Sequence, residues 1–478
     1  MNLNKFFPEF TYNSKPLFVA FTFIYASLLI VFASSKHFLL GNDIADLAFF
    51  EQFAWLIAHG KLFEPSSLLN RAALQDHFSL LLIPIGIIYK FIPSTYTLLT
   101  MQSISLATLP VLAANFSRMR NSPNQLTLSL IIAIALSPYV FLVNLSNFHP
   151  EVVAAPFMLV ALAESNIKRR SIFYLFFFLS LIAKKTQALF GLGICIYCFA
   201  KGNYRRSLIT GSISILWWQI STNYSSVSGD FVIARLGYLG NNMIEILQTL
   251  FTRPWVVFVE APPESILLYT LGLTLPFLAL MNRKSLPALF GTIPVYFTNL
   301  ISSAGMQREL DTHYSIAILP FLIIACLDSS YTLGVHGRAV LNRIKFLTML
   351  LTIIAFLGYS RIAYFRSRYI PRFNEAVALH QIKSSISLDS SVLTNDNYIS
   401  QFANRLVIMP IERNLLDVST YDHIILPQNT NKARIGGKLK PIKGTQLDQQ
   451  ITNVLGQAKA KGFRCSESNH YVIHCINE

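Results

Sequence analysis

Apolar stretches recur along residues 16–363 and constrain the fold more than any other feature of the sequence. The first, at 16–34, is long enough to cross a bilayer, which takes about 20 apolar residues. Only helices and closed barrels cross a hydrocarbon layer, because each backbone polar group must be paired internally. We therefore predict about eleven membrane-spanning helices. They lie at 16–34, 95–117, 125–145, 151–166, 172–183, 187–200, 207–222, 264–281, 286–303, 313–328 and 345–363.

The composition agrees with a membrane protein. Of 478 residues, 53% are hydrophobic and 13% are charged, whereas soluble chains average about 25% charged. Many of the 37 Phe and 20 Tyr residues lie at segment ends, where aromatic belts form. The net charge of +15 is spread over short loops, not gathered on one soluble face, so we expect no nucleic-acid partner.

The basic loops predict the topology. The segment at 78–92 is short and carries Pro84 and Lys90, so we interpret it as a helix in the membrane interface. All the basic loops then fall on the cytoplasmic side, as the positive-inside rule requires. The N-terminus is predicted inside, with an uncleaved first helix, and loops 35–94 and 223–263 outside. The loop cations are Arg118, Arg120, Lys168, Arg169, Arg170, Lys201, Arg205, Arg206, Arg283, Lys284, Arg338, Arg343 and Lys345.

Three predicted spans, at 151–166, 172–183 and 187–200, are shorter than usual, which indicates tilted or broken helices. The tail differs in composition, since short apolar runs alternate there with polar helical stretches such as 446–461. We therefore predict a transmembrane domain at 1–365 and a small extracytoplasmic α/β domain at 366–478.

Cys465 and Cys475 lie close together near the end of the tail. An extracytoplasmic location permits a disulfide between them. Two free thiols are the alternative at this point.

Polar residues in and beside a membrane are informative because their burial is costly. Asp43 and Asp46 open an apolar helix after the first span, and their spacing places them on one helical face. A carboxylate there can act as a base toward a hydroxyl group. The alternative is structural: Asn42 or Asp43 caps the helix, and Asp46 favours its dipole.

Other candidate residues stand at the mouths of predicted helices. Their cations can stabilise a phosphate leaving group, although lysines at such positions also extend to the interface without binding anything. Carboxylates with histidine can instead bind a divalent ion, for which Asp43, Asp46 and His149 are the candidates. The candidate binding residues are His77, His149, Glu151, Lys184, Lys185, Arg308 and His313.

Several other classes of activity lack their sequence motifs. The chain has no Walker loop, no Rossmann glycine pattern, no GxSxG and no CxxC pair. ATP-driven transport and redox chemistry are therefore poorly supported.

Short motifs along most of the chain resemble the DUF2079 family of bacterial multi-pass membrane proteins, which is similar to the GT-C class of membrane glycosyltransferases. The individual motifs are short, and their order and spacing together carry the resemblance. They are Asp46–Trp55, His59–Gly60, Asp76–Ser79, Phe148–Glu151, Lys184, His313–Tyr314, Pro320–Phe321 and Tyr421–Ile424.

The resemblance implies a glycosyltransferase that uses a polyprenyl-phosphate sugar as donor at the outer membrane face. Asp46, with Asp43 as its neighbour, matches the key acidic residue of the first external loop, as base or metal ligand. His77, His149 and Glu151 would line the site. Lys184, together with Arg308, would neutralise the departing lipid phosphate.

One motif departs from the family pattern. The family often follows its lysine with two acids, whereas this chain has Lys185, Thr186 and Gln187 after Lys184. That loss of carboxylates argues against a metal at this position and favours an electropositive phosphate subsite.

We therefore predict an inner-membrane enzyme that transfers a sugar from a lipid-phosphate donor to an extracytoplasmic acceptor. A lipid transporter or flippase, or a non-catalytic binding protein, is the alternative. Repeated halves of the chain with charges at mid-membrane would indicate a transporter. No such repeat stands out in the sequence. The sugar, the carrier, the acceptor and the oligomeric state are not specified by the sequence.

Overall fold

The structure is a computed structural model that describes most of the chain. Asp43, Lys168 and Arg169 lie outside the described residues. The described ranges are 15–42, 44–165, 170–225, 235–413, 417–428, 434–435, 438–439, 446–468 and 471–477.

The described chain is mostly helical as far as Ser385. The helices are α1 Lys15–Phe38, α2 Phe49–Ala58, α3 Ala73–His77, α4 Leu82–Phe91, α5 Thr95–Met119, α6 Asn124–Ala135, α7 Pro138–Leu145, α8 Pro150–Val153, α9 Ala155–Glu164, α10 Arg170–Leu181, α11 Gln187–Ala200, α12 Tyr204–Tyr224, α13 Met243–Thr252, α14 Val257–Glu260, α15 Pro263–Thr274, α16 Leu286–Gly291, α17 Ile293–Ile301, α18 Ile318–Gly334, α19 Arg338–Tyr359 and α20 Phe373–Ser385.

Strands and two further helices follow. The strands are β1 Val392–Thr394, β2 Ile408–Pro410, β3 His423–Pro427, β4 Arg434–Ile435, β5 Lys438–Leu439, β6 Arg464–Ser468 and β7 Val472–Ile476. The helices are α21 Ile399–Phe402 and α22 Gln446–Ala460. A small α/β region at the end of the chain, predicted from its alternating pattern, is therefore confirmed.

Six segments within the described residues are long and apolar enough to cross a membrane, which confirms a polytopic helical protein. The total of about eleven stays a prediction, since several expected spans are short or broken helices. The six are Val19–Phe38, Thr95–Met119, Asn124–Leu145, Pro263–Leu280, His313–Gly334 and Arg338–Tyr359. The shorter apolar helices are Leu82–Phe91, Ala155–Glu164, Arg170–Leu181 and Gln187–Ala200.

The segment at 78–92 does not form a spanning helix. Its helix, α4, has 10 residues. At 1.5 Å per residue this gives about 15 Å, half the roughly 30 Å of a hydrocarbon core. The length supports the interfacial interpretation on which the predicted topology depends.

The chain divides into two compact units. The first comprises Met1–Val31, Leu74–Leu81 and Thr100–Ser360, and the second Phe32–Ala73, Leu82–Leu99 and Arg361–Glu478. The second unit thus includes most of the predicted first external loop together with the tail. This division follows the packing of the chain. The predicted boundary at residue 365, between a transmembrane and an extracytoplasmic domain, stays a prediction.

A buried carboxylate joins three helices of the first unit. Asp328, in α18, accepts hydrogen bonds from Arg120 at 2.7 Å, from Lys201 at 2.9 Å and from the Tyr197 hydroxyl at 3.0 Å. Arg120 follows α5, and Lys201 follows α11. Because an isolated buried charge is strongly unfavourable, these partners stabilise Asp328 where α5, α11 and α18 meet.

The second unit contains a five-stranded sheet in the order β2-β1-β3-β7-β6. The first three strands are parallel, while β7 and β6 run antiparallel to their neighbours. Helix α20 packs on one face, and α22 packs on the other. A disulfide joins Cys465 of β6 to Cys475 of β7, so the bonded alternative is the one observed.

Helix α2 is anchored within this second unit by buried polar side chains. Glu51 accepts hydrogen bonds from the Tyr89 hydroxyl at 3.0 Å and the Thr95 hydroxyl at 2.7 Å. Gln52 donates to the backbone carbonyls of Arg405 and Leu406, each at 3.2 Å. These bonds tie the segment after Asp46 to the tail, a long-range pairing that no local sequence pattern predicts.

Two carboxylates meet at the carboxyl ends of β1 and β2. The backbone N–H of Asp396 donates to both oxygens of Glu412, at 3.3 Å each. Burial, assisted by the nearby Asp396 carboxylate, raises the pKa of Glu412 to about 7 from its usual 4.5. Glu412 is therefore largely protonated in the folded protein at pH 5 and ionised at pH 8.

This shift predicts a pH-dependent effect of Glu412→Gln. Because the folded pKa is raised, the contribution of Glu412 to stability is complete below about pH 4.5 and is lost as pH rises through about 7. Thermal unfolding of the full chain should show the variant equal to wild type near pH 5. Near pH 8 it should be more stable, by about 1–2 kcal/mol after allowance for solvent screening.

The exposed carboxylate variant Glu264→Gln is the matched control and should show no such divergence. Equal unfolding temperatures for wild type and Glu412→Gln across the whole pH range would contradict the prediction.

Candidate functional site

Two segments of the first unit run side by side and position its paired lysines. The backbone N–H of Lys185 donates to the His77 carbonyl at 3.1 Å, and the Ser79 hydroxyl donates to the Ala183 carbonyl at 2.6 Å. The indole N–H of Trp217, in α12, donates to the Lys184 carbonyl at 3.3 Å. The turn between α10 and α11 is therefore held by its backbone, which leaves the lysine side chains to other partners.

Lys184 forms a buried ion pair with Glu151. Its Nζ lies 2.9 Å from Oε1 of Glu151, and the two side chains are 7% and 3% exposed. Pro150 occupies the first position of α8, where its fixed φ favours the helix start and places Glu151 in the first turn. Nε2 of His313 lies 3.4 Å from the same carboxylate oxygen.

Two histidines stack beside this ion pair. The rings of His149 and His313 lie 3.5 Å apart between centroids, at 30°. The backbone N–H of His149 donates to Oε1 of Gln102 in α5 at 2.9 Å. Burial lowers the pKa of His149 well below its usual range, and the nearby Lys184 and His77 add to the effect. His149 is therefore neutral at physiological pH and able to accept a proton or bind a metal.

The second lysine has its own polar environment. Nζ of Lys185 donates to the Ser225 hydroxyl at 3.4 Å, and that hydroxyl donates to the Asp76 carbonyl at 2.7 Å. Burial lowers the pKa of Lys185, while the nearby Asp76 carboxylate raises it. Asp76 also lies 3.4 Å from His77, between Oδ2 and Nε2. The two adjacent lysines thus face different carboxylates, Glu151 and Asp76.

Arg308 contacts backbone carbonyls, and its predicted role in binding stays a prediction. Its guanidinium donates to the carbonyls of Asn299, Leu300 and Ser302 at the end of α17, and to the Glu260 carbonyl at 2.6 Å. Carbonyls at a helix C-terminus carry partial negative charge, so they stabilise a buried cation. The contacts of Arg308 are those of a residue that fixes the end of α17.

Arg235 is a cation that the sequence argument missed. Its Nη2 donates to the Tyr314 hydroxyl at 3.2 Å, and its guanidinium lies 5.3 Å from the centre of that ring. The Tyr314 ring lies 4.2 Å from the His313 ring. Arg235 belongs to no sequence motif, so only its contacts with Tyr314, the residue after His313, identify it.

A polar network of buried groups supports the histidine end of the cluster. The Tyr269 hydroxyl and Ser315 Oγ lie 2.6 Å apart, and Nδ2 of Asn299 donates to the Tyr269 hydroxyl at 3.0 Å. Asn299 also donates to the Tyr314 carbonyl at 3.2 Å. These bonds connect α15, α17 and the turn at 313–315, and they fix the backbone that carries His313.

Asp46 lies in the second unit, in a π-helical turn, Ile44–Ala48, that precedes α2. Its φ of +53° is in the left-handed region, which is uncommon for residues with a side chain. Such backbone strain and π-helical turns are both enriched at functional sites. Helix α2 begins at Phe49 with Ala48 at its N-cap, so Asp46 does not serve as the cap of α2.

The first unit thus brings together His77, His149, Glu151, Lys184, Lys185 and His313, all chosen from the sequence. Chemically, this group offers buried cations for an anion and neutral imidazoles for a proton. Imidazole and carboxylate are also ligands of divalent metals. A metal held by Asp43, Asp46 and His149 stays a prediction, because Asp43 lies outside the described residues.

The fold and this buried charged group define a polytopic helical membrane protein with a polar site among its helix ends. The sequence matches the family model described as predicted membrane protein (DUF2079) over residues 36–454. The chain therefore belongs to the DUF2079 family, and the resemblance found in its motifs is confirmed. No curated protein matches the sequence.

Solved structures share the fold. The crystal structure of ArnT from Cupriavidus metallidurans bound to undecaprenyl phosphate matches with a TM-score of 0.54 at 12% identity, over 97% of each chain. Its apo form matches with a TM-score of 0.51 over the same shares, also at 12% identity. ArnT is a GT-C glycosyltransferase. At this identity the match establishes a common fold.

The ion pair between Glu151 and Lys184 predicts strongly coupled effects on stability. Glu151→Gln should lower the stability of the detergent-solubilised protein by about 3–5 kcal/mol, because it removes the carboxylate that lies 2.9 Å from a buried ammonium. Adding Lys184→Met should recover most of this loss, since neither charge then remains. Thermal unfolding of the two single variants and the double variant measures the coupling.

Asp417→Asn is a suitable control, because Asp417 pairs with Lys461 on the surface, 2.8 Å away. Its effect should be small, as it is for most exposed pairs. Additive losses in the Glu151 and Lys184 variants would show that the two side chains do not form a pair.

Proposed function

We propose that this protein is a glycosyltransferase that moves a sugar from a polyprenyl-phosphate donor to a hydroxyl group of an extracytoplasmic acceptor. The observation that carries the proposal is the fold shared with ArnT along 97% of both chains. That structure holds undecaprenyl phosphate, which is the donor class that we infer here. The buried cations Lys184 and Lys185 supply the chemistry that a lipid phosphate needs.

In the proposed reaction, Asp46 takes the proton of the acceptor hydroxyl, with Asp43 as its neighbour in sequence. The acceptor oxygen then bonds to the anomeric carbon, and the bond from that carbon to the phosphate oxygen breaks. The electron pair leaves with the polyprenyl phosphate. Negative charge grows on this phosphate, so fixed cations lower the barrier of the step.

Lys184 is the main candidate for that role. In the structure its charge is balanced by Glu151, so an entering phosphate competes with a carboxylate that is already in place. The free energy of donor binding is then the difference between the Lys184–phosphate and the Lys184–Glu151 ion pairs. This competition weakens binding of the phosphate and so favours release of the product lipid. Lys185 and Arg235 would assist, whereas the guanidinium of Arg308 is occupied by backbone carbonyls.

The site would be lined by His77, His149, Glu151 and His313. We also propose that it can bind a divalent ion. We also propose that the protein lies in the bacterial inner membrane, with its N-terminus inside and residues 366–478 outside. Eleven spans, an odd number, would place the two ends of the chain on opposite sides of the membrane, and the basic loops place the N-terminus inside.

The test compares lipid extracts from three strains by mass spectrometry: one lacking the protein, one with wild type and one with Asp46→Asn at equal protein level. A polyprenyl-phosphate sugar should accumulate in the first and third strains, because the donor is no longer consumed. Asp389→Asn, an exposed carboxylate in the tail, is the control and should resemble wild type.

Accumulation only in the strain without the protein would remove Asp46 from the mechanism. Unchanged lipid-linked sugars in every strain would overturn the transferase proposal in favour of transport or binding.

A further inference from the structure

The two faces of the tail sheet are covered to different extents. On one face, α22 packs against Leu393, Ile424 and Cys475 in an apolar cluster. On the other face, α20 packs against Val392, Ile408, Ile425 and Val472, among others, in a second cluster. The second cluster includes residues of β1, β2, β3 and β7 and none of β6, so β6 is the strand that this core leaves out.

Polar side chains occupy the face beyond α20. Strand register pairs Ser466 with His474 and Ser468 with Val472, so these side chains share the face of Val472. His474 is also the partner of Ile425, which belongs to the α20 cluster. The sheet therefore changes from apolar to polar on one face as it passes from β3 to its edge at β6.

A groove lies along this polar part of the sheet. Its volume is about 400 Å³, within the range of small-molecule sites, which is roughly 300–1,000 Å³. One wall is α20, and the other is formed by β6 and β7. The lining residues are Gln381, Ile382, Ser385, Ser466, Glu467, Ser468 and His474.

The disulfide makes the strand wall of this groove rigid. Cys465 and Cys475 face each other across β6 and β7, and Cys475 is buried in the cluster under α22. The covalent bond thus fixes the edge strand from the face opposite the groove. A pre-formed wall reduces the ordering entropy that ligand binding must overcome.

The lining selects a class of ligand. Its side chains offer three hydroxyls, one amide and one imidazole, and none of the seven residues is Lys or Arg. The Glu467 side chain lies on the opposite face of β6, where it is paired with Ile473 and accepts a hydrogen bond from Gln428 at 2.6 Å. His474 is bonded to His423, with 3.0 Å between Nε2 and Nδ1, and burial lowers the pKa of His474 to about 4. At neutral pH the side chains that face the groove are therefore neutral donors and acceptors.

Two ligand classes fit this lining poorly. An anion would find no cation among the lining residues to balance its charge. An apolar ligand would find only Ile382 as a hydrophobic contact and would desolvate the polar groups without replacing their hydrogen bonds. A neutral ligand with many hydroxyl groups can pair with hydroxyl, amide and imidazole at once.

We propose that the groove between α20 and the β6–β7 edge is a saccharide-binding site. Its assignment rests on the lining residues alone. Only its use as a subsite for the sugar part of the acceptor rests on the proposed transferase function.

The experiment measures binding to the full chain in lipid nanodiscs, since glycoside detergents would compete for the groove. The probes are maltotetraose and chitotetraose. Their binding is measured by saturation-transfer difference NMR during a titration. Ser385→Trp places a large ring in the groove. Ser384→Trp is the matched control, because Ser384 is the exposed neighbour of Ser385 on α20 and does not line the groove.

Wild type should bind at least one tetrasaccharide, Ser385→Trp should weaken that binding by about tenfold or more, and Ser384→Trp should bind like wild type. Gln381→Ala should also weaken binding, with an unchanged unfolding temperature. Absence of binding by either probe, or equal losses in the two tryptophan variants, would overturn the proposal.

The lipid analysis of the Asp46→Asn strain is independent of these measurements. Saccharide binding without donor accumulation would retain the groove and reject the transferase. Donor accumulation without saccharide binding would have the opposite meaning.

Discussion

The ion pair between Lys184 and Glu151 is the interaction on which the described part of the first unit depends. A buried ammonium is stable only with a counter-charge, and here the partner comes from another helix mouth. The pair fixes the turn between α10 and α11 against α8. His313 contacts the same carboxylate and adds the turn before α18. Removing either charge would leave several helix ends without a common anchor.

The same physical rule explains the contrast among the basic residues. Lys184 and Lys185 face carboxylates, Arg120 and Lys201 share Asp328, and Arg308 is surrounded by carbonyls. Carboxylate partners can exchange for a phosphate, since both are anions. Backbone carbonyls at a helix end belong to the fold and do not leave. This difference distinguishes the two lysines from Arg308, whose role in binding stays a prediction.

The second unit is built on a different constraint, the closure of a sheet between two helices. Consecutive residues of β1 and β3 are apolar, and successive side chains point to opposite faces, so both faces bury side chains and each receives a helix. The edge strand β6 lies beyond the core under α20 and is fixed by the disulfide. A rigid polar edge next to a packed core is what produces the groove.

The sequence by itself determined the class of fold, because apolar length and basic loops follow directly from the hydrocarbon thickness of a membrane. It also determined the α/β nature of the tail and most members of the charged group, since charged residues at helix mouths are rare and visible. Only the tertiary structure decided their partners. Three pairings show this: Lys184 with Glu151, Arg308 with backbone carbonyls, and Gln52 with residues 405 and 406. Each of them joins residues that are separated in the chain. Such pairings leave no local pattern, because they are selected by packing and charge balance.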